Sequence, residues 1–288
     1  MKNKIKNLLL IVVIIAILPS FKFISSPNIY LNSSEIKDKN EIIVDNNQVM
    51  ISKELLSNIW KLNNKFYNNQ ISFSEDNEEY YSGIDFTLDD NFIWFVEIAS
   101  YTKNPPRRIN NKIYFPIEIV EEQNKEFNLL KDYKNNSINI YYKQEENMPK
   151  SFAKYEDAKI SSDLENYFYI KRLNNYLSNS IDAMNYIFYN MKNSEDIYTI
   201  VLSLSDAAKT IEHNKYEIDS LNADFKYGED INKWKYISKD IVEIIDSEFY
   251  PFFDSNNLDL EKLENLIFRL NEKNKELNKE FKLIESKI

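Results

Sequence analysis

Few side chains in this sequence combine the type and the spacing that chemistry needs, and the first to weigh are Arg107 and Arg108. Only two other arginines, Arg172 and Arg269, occur in the chain, and this pair follows Pro105-Pro106 in a stretch (102–111) that reads as a loop at a hairpin tip. Two neighbouring guanidiniums can hold a carboxylate or phosphate through paired N–H donors, so Arg107 and Arg108 form the candidate anion contact. Carboxylates come next. Glu75, Asp76, Glu78, Glu79, Asp85, Asp89, Asp90, Glu97, Glu118, Glu121 and Glu122 crowd one part of the chain. Glycoside cleavage needs two of them about 5 to 10 Å apart, and hard metals need only oxygen ligands. Yet no D-x-D-x-D-G loop is present, and a chain of net charge −10 carries many carboxylates in any case. Glu97 stands apart because it lies inside the apolar run 92–98, where a charge needs exposure or a buried partner. His213, the single histidine, reads as a surface residue. The sequence contains no G-x-S-x-G, H-E-x-x-H or Walker loop. It therefore assigns no catalytic, cofactor-binding or metal-ligating residue.

A second constellation is built for recognition. Leu263, Ile267, Leu270, Asn274, Leu277, Phe281 and Ile284 step by four and three through the last helix, read over 259–288. This is the seam of a coiled coil, with Asn274 at a position where a buried Asn sets register at some cost in stability. The seam is the candidate surface for a partner helix. Its flanks disagree with parallel pairing, since Glu280 of one chain would meet Glu285 of the other, and the competing expectation is packing on the chain's own bundle.

The elements that must position these groups divide the chain by period. Residues 1–24 are a signal peptide or uncleaved transmembrane anchor, 25–41 a polar linker, 42–146 a mixed α+β domain, and 151–288 a helical bundle. The fold class expected is α+β, mostly helical overall. In the first domain Ser52 caps a helix over 53 to about 67, with Leu55, Ile59, Leu62 and Phe66 inward. Ile84, Phe86 and Leu88 then alternate with Asp85, Thr87 and Asp89, and Asp89-Asp90-Asn91 turns the chain into 92–98, which predicts a hairpin. Ile113, Phe115, Ile117 and Ile119 alternate again, with Pro116 pushing that strand to a sheet edge. Residues 137–142 make a last strand, and a helix laid on a four-stranded antiparallel meander is the simplest assembly.

In the second domain Ser162 and Glu165 read as a capping box before a stripe of Ile170, Leu173, Leu177, Met184, Ile187 and Met191, with Ser180 its polar member. Ser194 caps a helix carrying Ile197, Val201, Leu204, Ala208, Ile211, Ile218, Leu221 and Phe225, which Gly228 ends. A third helix holds Ile231, Trp234, Ile237, Ile241, Ile244 and Phe249 and closes at Pro251. Short breaks between long amphipathic helices predict an antiparallel bundle.

The address is read from the start of the chain. Lys2, Lys4 and Lys6 precede about eleven unbroken apolar residues (8–18), the layout of an export signal. The sequence after them offers a poor cleavage site, tolerable only after Ser20. A helix over 5–24 would be about 30 Å long and match a hydrocarbon core, with Lys6 and Lys22 at the two surfaces. Retention as an anchor with the rest of the chain outside the cytoplasm is the favoured expectation, and secretion follows if Ser20 is cut. The chain has no cysteine, so lipid acylation at a lipobox, disulfides and cysteine metal sites are excluded. Two glycines disfavour phosphate loops, while 20 Tyr and 18 Phe supply core. The acidic balance excludes nucleic acid as a partner. Heavy use of Asn, Lys and Ile fits an AT-rich bacterial genome. The function expected is a non-enzymatic protein- or ligand-binding module of the bacterial envelope, partnered by another envelope protein through the C-terminal helix and by the membrane through 5–24. The alternative is an exported carboxylate-dependent glycan hydrolase. No cofactor is expected.

Overall fold

A computed structural model describes residues 26–36, 40–45, 48–60, 63–74, 83–95, 98–101, 104–118, 121, 127–142, 161–221, 228–253 and 258–288. The chain is a mixed α+β protein with antiparallel β-meanders and long helices. The expected membrane segment 1–24 lies outside the described residues, as do Glu75, Asp76, Glu78, Glu79, Glu97, Glu122 and Phe225. No described helix is long and apolar enough to cross a membrane.

The strands form three sheets around one apolar cluster. Strands β1 (Asn28–Leu31), β2 (Ser34–Glu35), β12 (Phe127–Asp132) and β13 (Ser137–Tyr142) join in the order β12-β13-β1-β2, with β1 parallel to β13. Strands β3 (Ile42–Asp45), β4 (Gln48–Ser52), β10 (Arg107–Ile109) and β11 (Lys112–Pro116) join as β10-β11-β4-β3. A five-stranded meander runs in chain order through β5 (Asn63–Tyr67), β6 (Gln70–Ser74), β7 (Gly83–Thr87), β8 (Phe92–Phe95) and β9 (Ile98–Tyr101). Ile29, Leu31, Ile51, Leu55, Leu56, Leu129 and Ile140 share the core with Phe73, Phe86 and Phe115, whose rings meet edge to face at 4.8 to 5.9 Å. Such pairs add to the stabilisation that burial alone supplies.

Several expectations for this part need correction. Ile29 and Leu31 sit in the stretch read as linker, but they are buried in β1, where pairing to a strand more than 100 residues away overrides the polar composition. Ser52 does cap a helix, accepting from Leu55 N at 3.1 Å, but α1 spans only Lys53–Trp60. Residues Asn63–Tyr67, expected as the end of that helix, are strand β5, and Phe66 lies opposite Ile71 across the β5–β6 ladder. The hairpin expected of 84–88 with 92–98 is present as β7 paired with β8, but β8 covers only Phe92–Phe95, and Ile98 belongs to a further strand, β9, that pairs with β8. The stretch 102–111 contains β10, and β11 is an inner strand; Pro116 is tolerated because it is the last residue of β11, beyond the reach of β10.

The turn chemistry behind these differences is asparagine. Asn32-Ser33, Asn68-Asn69 and Asn110-Asn111 all have positive φ at both positions, the geometry of two-residue hairpin turns whose twist matches the strands. Where glycine is rare, asparagine is the next residue to accept this region. Asn111→Ala is therefore expected to lower stability by about 1 kcal/mol in a urea melt, while Asn111→Gly leaves it unchanged or raised.

The helical part is an up-and-down arrangement of α2 (Ser162–Met191), α3 (Ile197–His213) continued by α4 (Lys215–Ser220), α5 (Gly228–Ile244), and α7 (Leu260–Glu285). Bonds from Asn174 to Asn278, Lys192 to Glu264 and Tyr167 to Glu285 show α7 running antiparallel to α2. Ion pairs of Glu280 with Lys233, Asp240 with Lys273, and Glu248 with Arg269 show the same against α5. The stripe on α2 is buried except for Met191, which is half-buried. The caps are Ser161 and Asp196 rather than Ser162 and Ser194, accepting from Leu164 N and Thr199 N respectively. Gly228 opens α5 instead of ending the preceding helix. Pro251 does not close the third helix directly: a π-helical turn, Ile245–Phe249, leads into α6 (Tyr250–Phe253). Tyr250 N–H donates to Ile245 O, and this wider register relieves the clash of the Pro251 ring with the carbonyl one turn back.

Candidate functional site

Arg107 and Arg108 are neighbours on β10, so their side chains leave opposite faces of the sheet and form no common clamp. Arg107 pairs with Asp45 at 2.6 Å. Arg108 is exposed, with its guanidinium 5.7 Å from the centroid of the Phe66 ring. The joint anion contact expected from sequence is corrected accordingly: one arginine ties β10 to β3, and the other is presented at the surface on an aromatic platform.

The expected partner seam is covered by the chain itself. Leu263, Ile267, Leu270, Asn274, Leu277, Phe281 and Ile284 are all buried in the helical core, against α2 and α5. The reading of this stripe as an open surface for a partner helix is corrected on that ground. The buried Asn274 does what a polar seam residue does, but within one chain. Its Nδ2 donates to Asp182 Oδ1 at 3.0 Å and to Ser178 O at 3.3 Å. Asn278 Nδ2 donates to Asn274 Oδ1 at 2.8 Å and to Ser178 Oγ at 3.0 Å, and Asn174 Nδ2 donates to Asn278 Oδ1 at 3.2 Å. Trp234 Nε1, from α5, donates to Asn174 Oδ1 at 2.9 Å. This polar spine couples three helices and fixes their register. The flanking charges that opposed a homodimer also have internal partners: Glu280 with Lys233, and Glu285 with the Tyr167 hydroxyl.

Among the acidic residues, sequence reasoning did not single out the pair with the most unusual surroundings. Glu118 and Glu121 lie just after β11, where they meet Lys131 of β12 and Lys171 of α2. Lys171 Nζ donates to both oxygens of Glu121, at 2.8 and 2.7 Å, and to Leu129 O at 2.7 Å; Leu129 N donates to Glu121 Oε1 at 2.6 Å. Glu118 pairs with Lys131 at 2.7 Å. Burial pushes the Glu121 carboxyl above the ordinary carboxylate range, against the pull of Lys171. Burial acts upward on Glu118 too, but the Lys131 ammonium outweighs it and holds that carboxyl down. Two carboxyls pushed apart in this way are what acid–base catalysis uses. Here, however, Glu121 is 2% exposed and its oxygens face a lysine and a backbone amide, so the geometry makes a joint between sheet and bundle. Arg172 reinforces it, donating to Asn128 Oδ1 at 2.7 Å, and Tyr141 packs on Phe168 at 5.6 Å.

His213 is exposed at the end of α3. Among the described residues no group of three or more His, Asp and Glu is placed to hold a metal ion.

What the helices do present outward is aromatic. Tyr186 and Tyr189 on α2 are 40% and 43% exposed, and Phe268 on α7 is 57% exposed. The bonds of Asn271 to Asn185 and of Lys192 to Glu264 bracket Tyr189 and Phe268, which places both at one level of the α2–α7 pair. Lys192 Nζ stands 4.5 Å from the Tyr189 ring centroid. Beyond the α2–α3 turn, Tyr198 and Leu202 are 57% and 51% exposed. This end of α2 is opposite the end that carries Lys171 and Arg172. Helical periodicity could have found these residues as apolar positions off the core stripe. No protein-family model, curated protein or solved structure matches the chain.

Proposed function

We propose that the chain is a non-enzymatic binding protein of the bacterial envelope, exported by residues 1–24 and held to or released from the membrane beyond them, with a β module on a four-helix stalk. The bundle end bearing Tyr186, Tyr189 and Phe268 contacts another envelope protein. The supporting observation is this outward aromatic group. Large aromatic side chains at a helical surface lose favourable burial unless something covers them, and Tyr and Phe are enriched where proteins meet. The C-terminal helix thus takes part through its outer residue Phe268, and its inner seam holds the bundle.

A photocrosslinking amino acid placed at Phe268, and separately at the exposed Lys209 of α3, tests this in the producing bacterium. The expected result is a discrete adduct from position 268, absent from position 209. Equal labelling from both positions, or no adduct from 268, overturns the reading.

A further inference from the structure

The edge of the five-stranded meander at β5, unpaired among the described residues, offers a second surface, independent of the aromatic end of the bundle. Strand β5 is an end strand of that sheet, and four of its five residues, Asn63, Lys65, Phe66 and Tyr67, are exposed. The two-residue turn Asn68-Asn69 closes on the pair Tyr67 and Gln70. That pair exchanges both ladder bonds, and antiparallel ladders alternate, so the backbone N–H and C=O of Asn64 and Phe66 point outward. An extended chain can pair with them.

The side chains state what kind of chain fits. Phe66 and Asn64 lie opposite Ile71 and Phe73, so Phe66 carries the inner apolar face out to the edge. It is 39% exposed there, under the Arg108 guanidinium. Lys65 projects from the other face. A second copy of β5 is a poor occupant: the antiparallel register that uses both Asn64 and Phe66 sets Lys65 directly against Lys65 of the copy, and like charges in direct opposition repel. An acidic side chain at that position would be attracted instead, while Arg108 stands on the other face over the Phe66 ring, against which an apolar side chain would pack.

We propose that β5 is a strand-addition site for an extended, acidic segment of another protein, with a carboxylate opposite Lys65 and an apolar side chain against Phe66. Main-chain bonds to Asn64 and Phe66 supply affinity, and the alternation of acidic and apolar residues supplies selection.

The test uses the described chain without residues 1–25 fused to nothing else and, in parallel, the full chain in detergent, with a labelled, end-capped peptide of strictly alternating Glu and Val followed by fluorescence anisotropy. Binding is expected, with the Lys-Val counterpart silent. Asn64→Pro removes an outward N–H while leaving the β5–β6 ladder and Phe66 in place, and is expected to weaken binding by about tenfold or more. Arg108→Ala is expected to weaken it by about threefold. In the unaltered protein the amides of Asn64 and Phe66 should become protected from hydrogen exchange only when the peptide is present, which decides the matter even if Asn64→Pro does not fold. Equal binding of the two peptides, wild-type binding by a folded Asn64→Pro variant, or protection of those amides before peptide is added overturns the proposal. Concentration-dependent dimerisation abolished by Asn64→Pro would assign the edge to a second copy and overturn it as well. None of these outcomes bears on crosslinking from Phe268, so the two readings fail separately.

Discussion

Replacing Glu121 by Gln should lower the unfolding free energy by about 3–5 kcal/mol, the largest effect expected of any polar substitution in the described chain. Lys171 Nζ would keep Leu129 O and the single remaining side-chain oxygen, would face an amide N–H in place of the second oxygen, and would lose its counter-charge. A buried ammonium without its counter-ion is costly, because the interior cannot replace the water it gave up. Lys171→Met should be similarly damaging, since it strands the Glu121 carboxylate. The double variant Glu121→Leu with Lys171→Met should recover most of the loss, as apolar replacement of a whole buried pair often does. Urea denaturation of the three variants checks this cycle. Additive losses in the double variant would show that the two residues are not acting as a pair.

The same joint gives stability a defined dependence on pH. Glu118 is held below its ordinary range, so its contribution is fully present above the unfolded carboxylate pKa and is lost as pH falls through the lower folded value. Glu121 is raised, so the folded protein takes up its proton before the unfolded chain does, and mild acid relieves the cost of its buried charge. The Lys171→Met variant removes the attraction opposing that rise. It should therefore regain stability between neutral pH and the carboxylate range, and the wild type should lose stability only at lower pH, as Glu118 protonates.

Asn274→Leu is expected to destabilise the bundle by about 2–4 kcal/mol and to leave the oligomeric state unchanged. The substitution leaves Asp182, Ser178 O and Asn278 short of a partner each, in a place where water does not replace them. The opposite result is expected of an intermolecular zipper, in which Leu for a buried Asn raises stability and relaxes the choice of oligomer. Sedimentation and thermal melting of one variant thus separate the two packings of the same heptads.

The comparison of sequence with structure turns on how far each signal reaches along the chain. The spacing of Leu263, Ile267, Leu270, Asn274, Leu277, Phe281 and Ile284 identified one buried stripe and its polar member, because periodicity is local. Which helix covers the stripe was not legible, since the bonds of Asn274 to Ser178 and Asp182 cross more than 90 residues. Strand β7 announced itself through Ile84 and Phe86, whereas β1 owes its strand state to pairing with β13 more than 100 residues away, and β5, β10 and β12 are short or bounded by asparagine and lack a clean alternation. Asn-Asn pairs in a chain with two glycines were the available clue to the turns, and reading 63–67 as the end of a helix hid β5. Adjacent arginines looked like a clamp only until β10 set their side chains on opposite faces. Glu121 and Lys171, 50 residues apart, carried no sequence signal of their partnership.

The function proposed for this protein presumes that it acts outside the cytoplasm. Fractionation of the native bacterium, with protease treatment of intact and broken cells and N-terminal sequencing of the recovered chain, measures this directly. The account predicts protein on the outer side of the cytoplasmic membrane, either membrane-bound with its N-terminal segment retained or released and beginning at Phe21. Recovery as a soluble cytoplasmic protein with Met1 in place would contradict it.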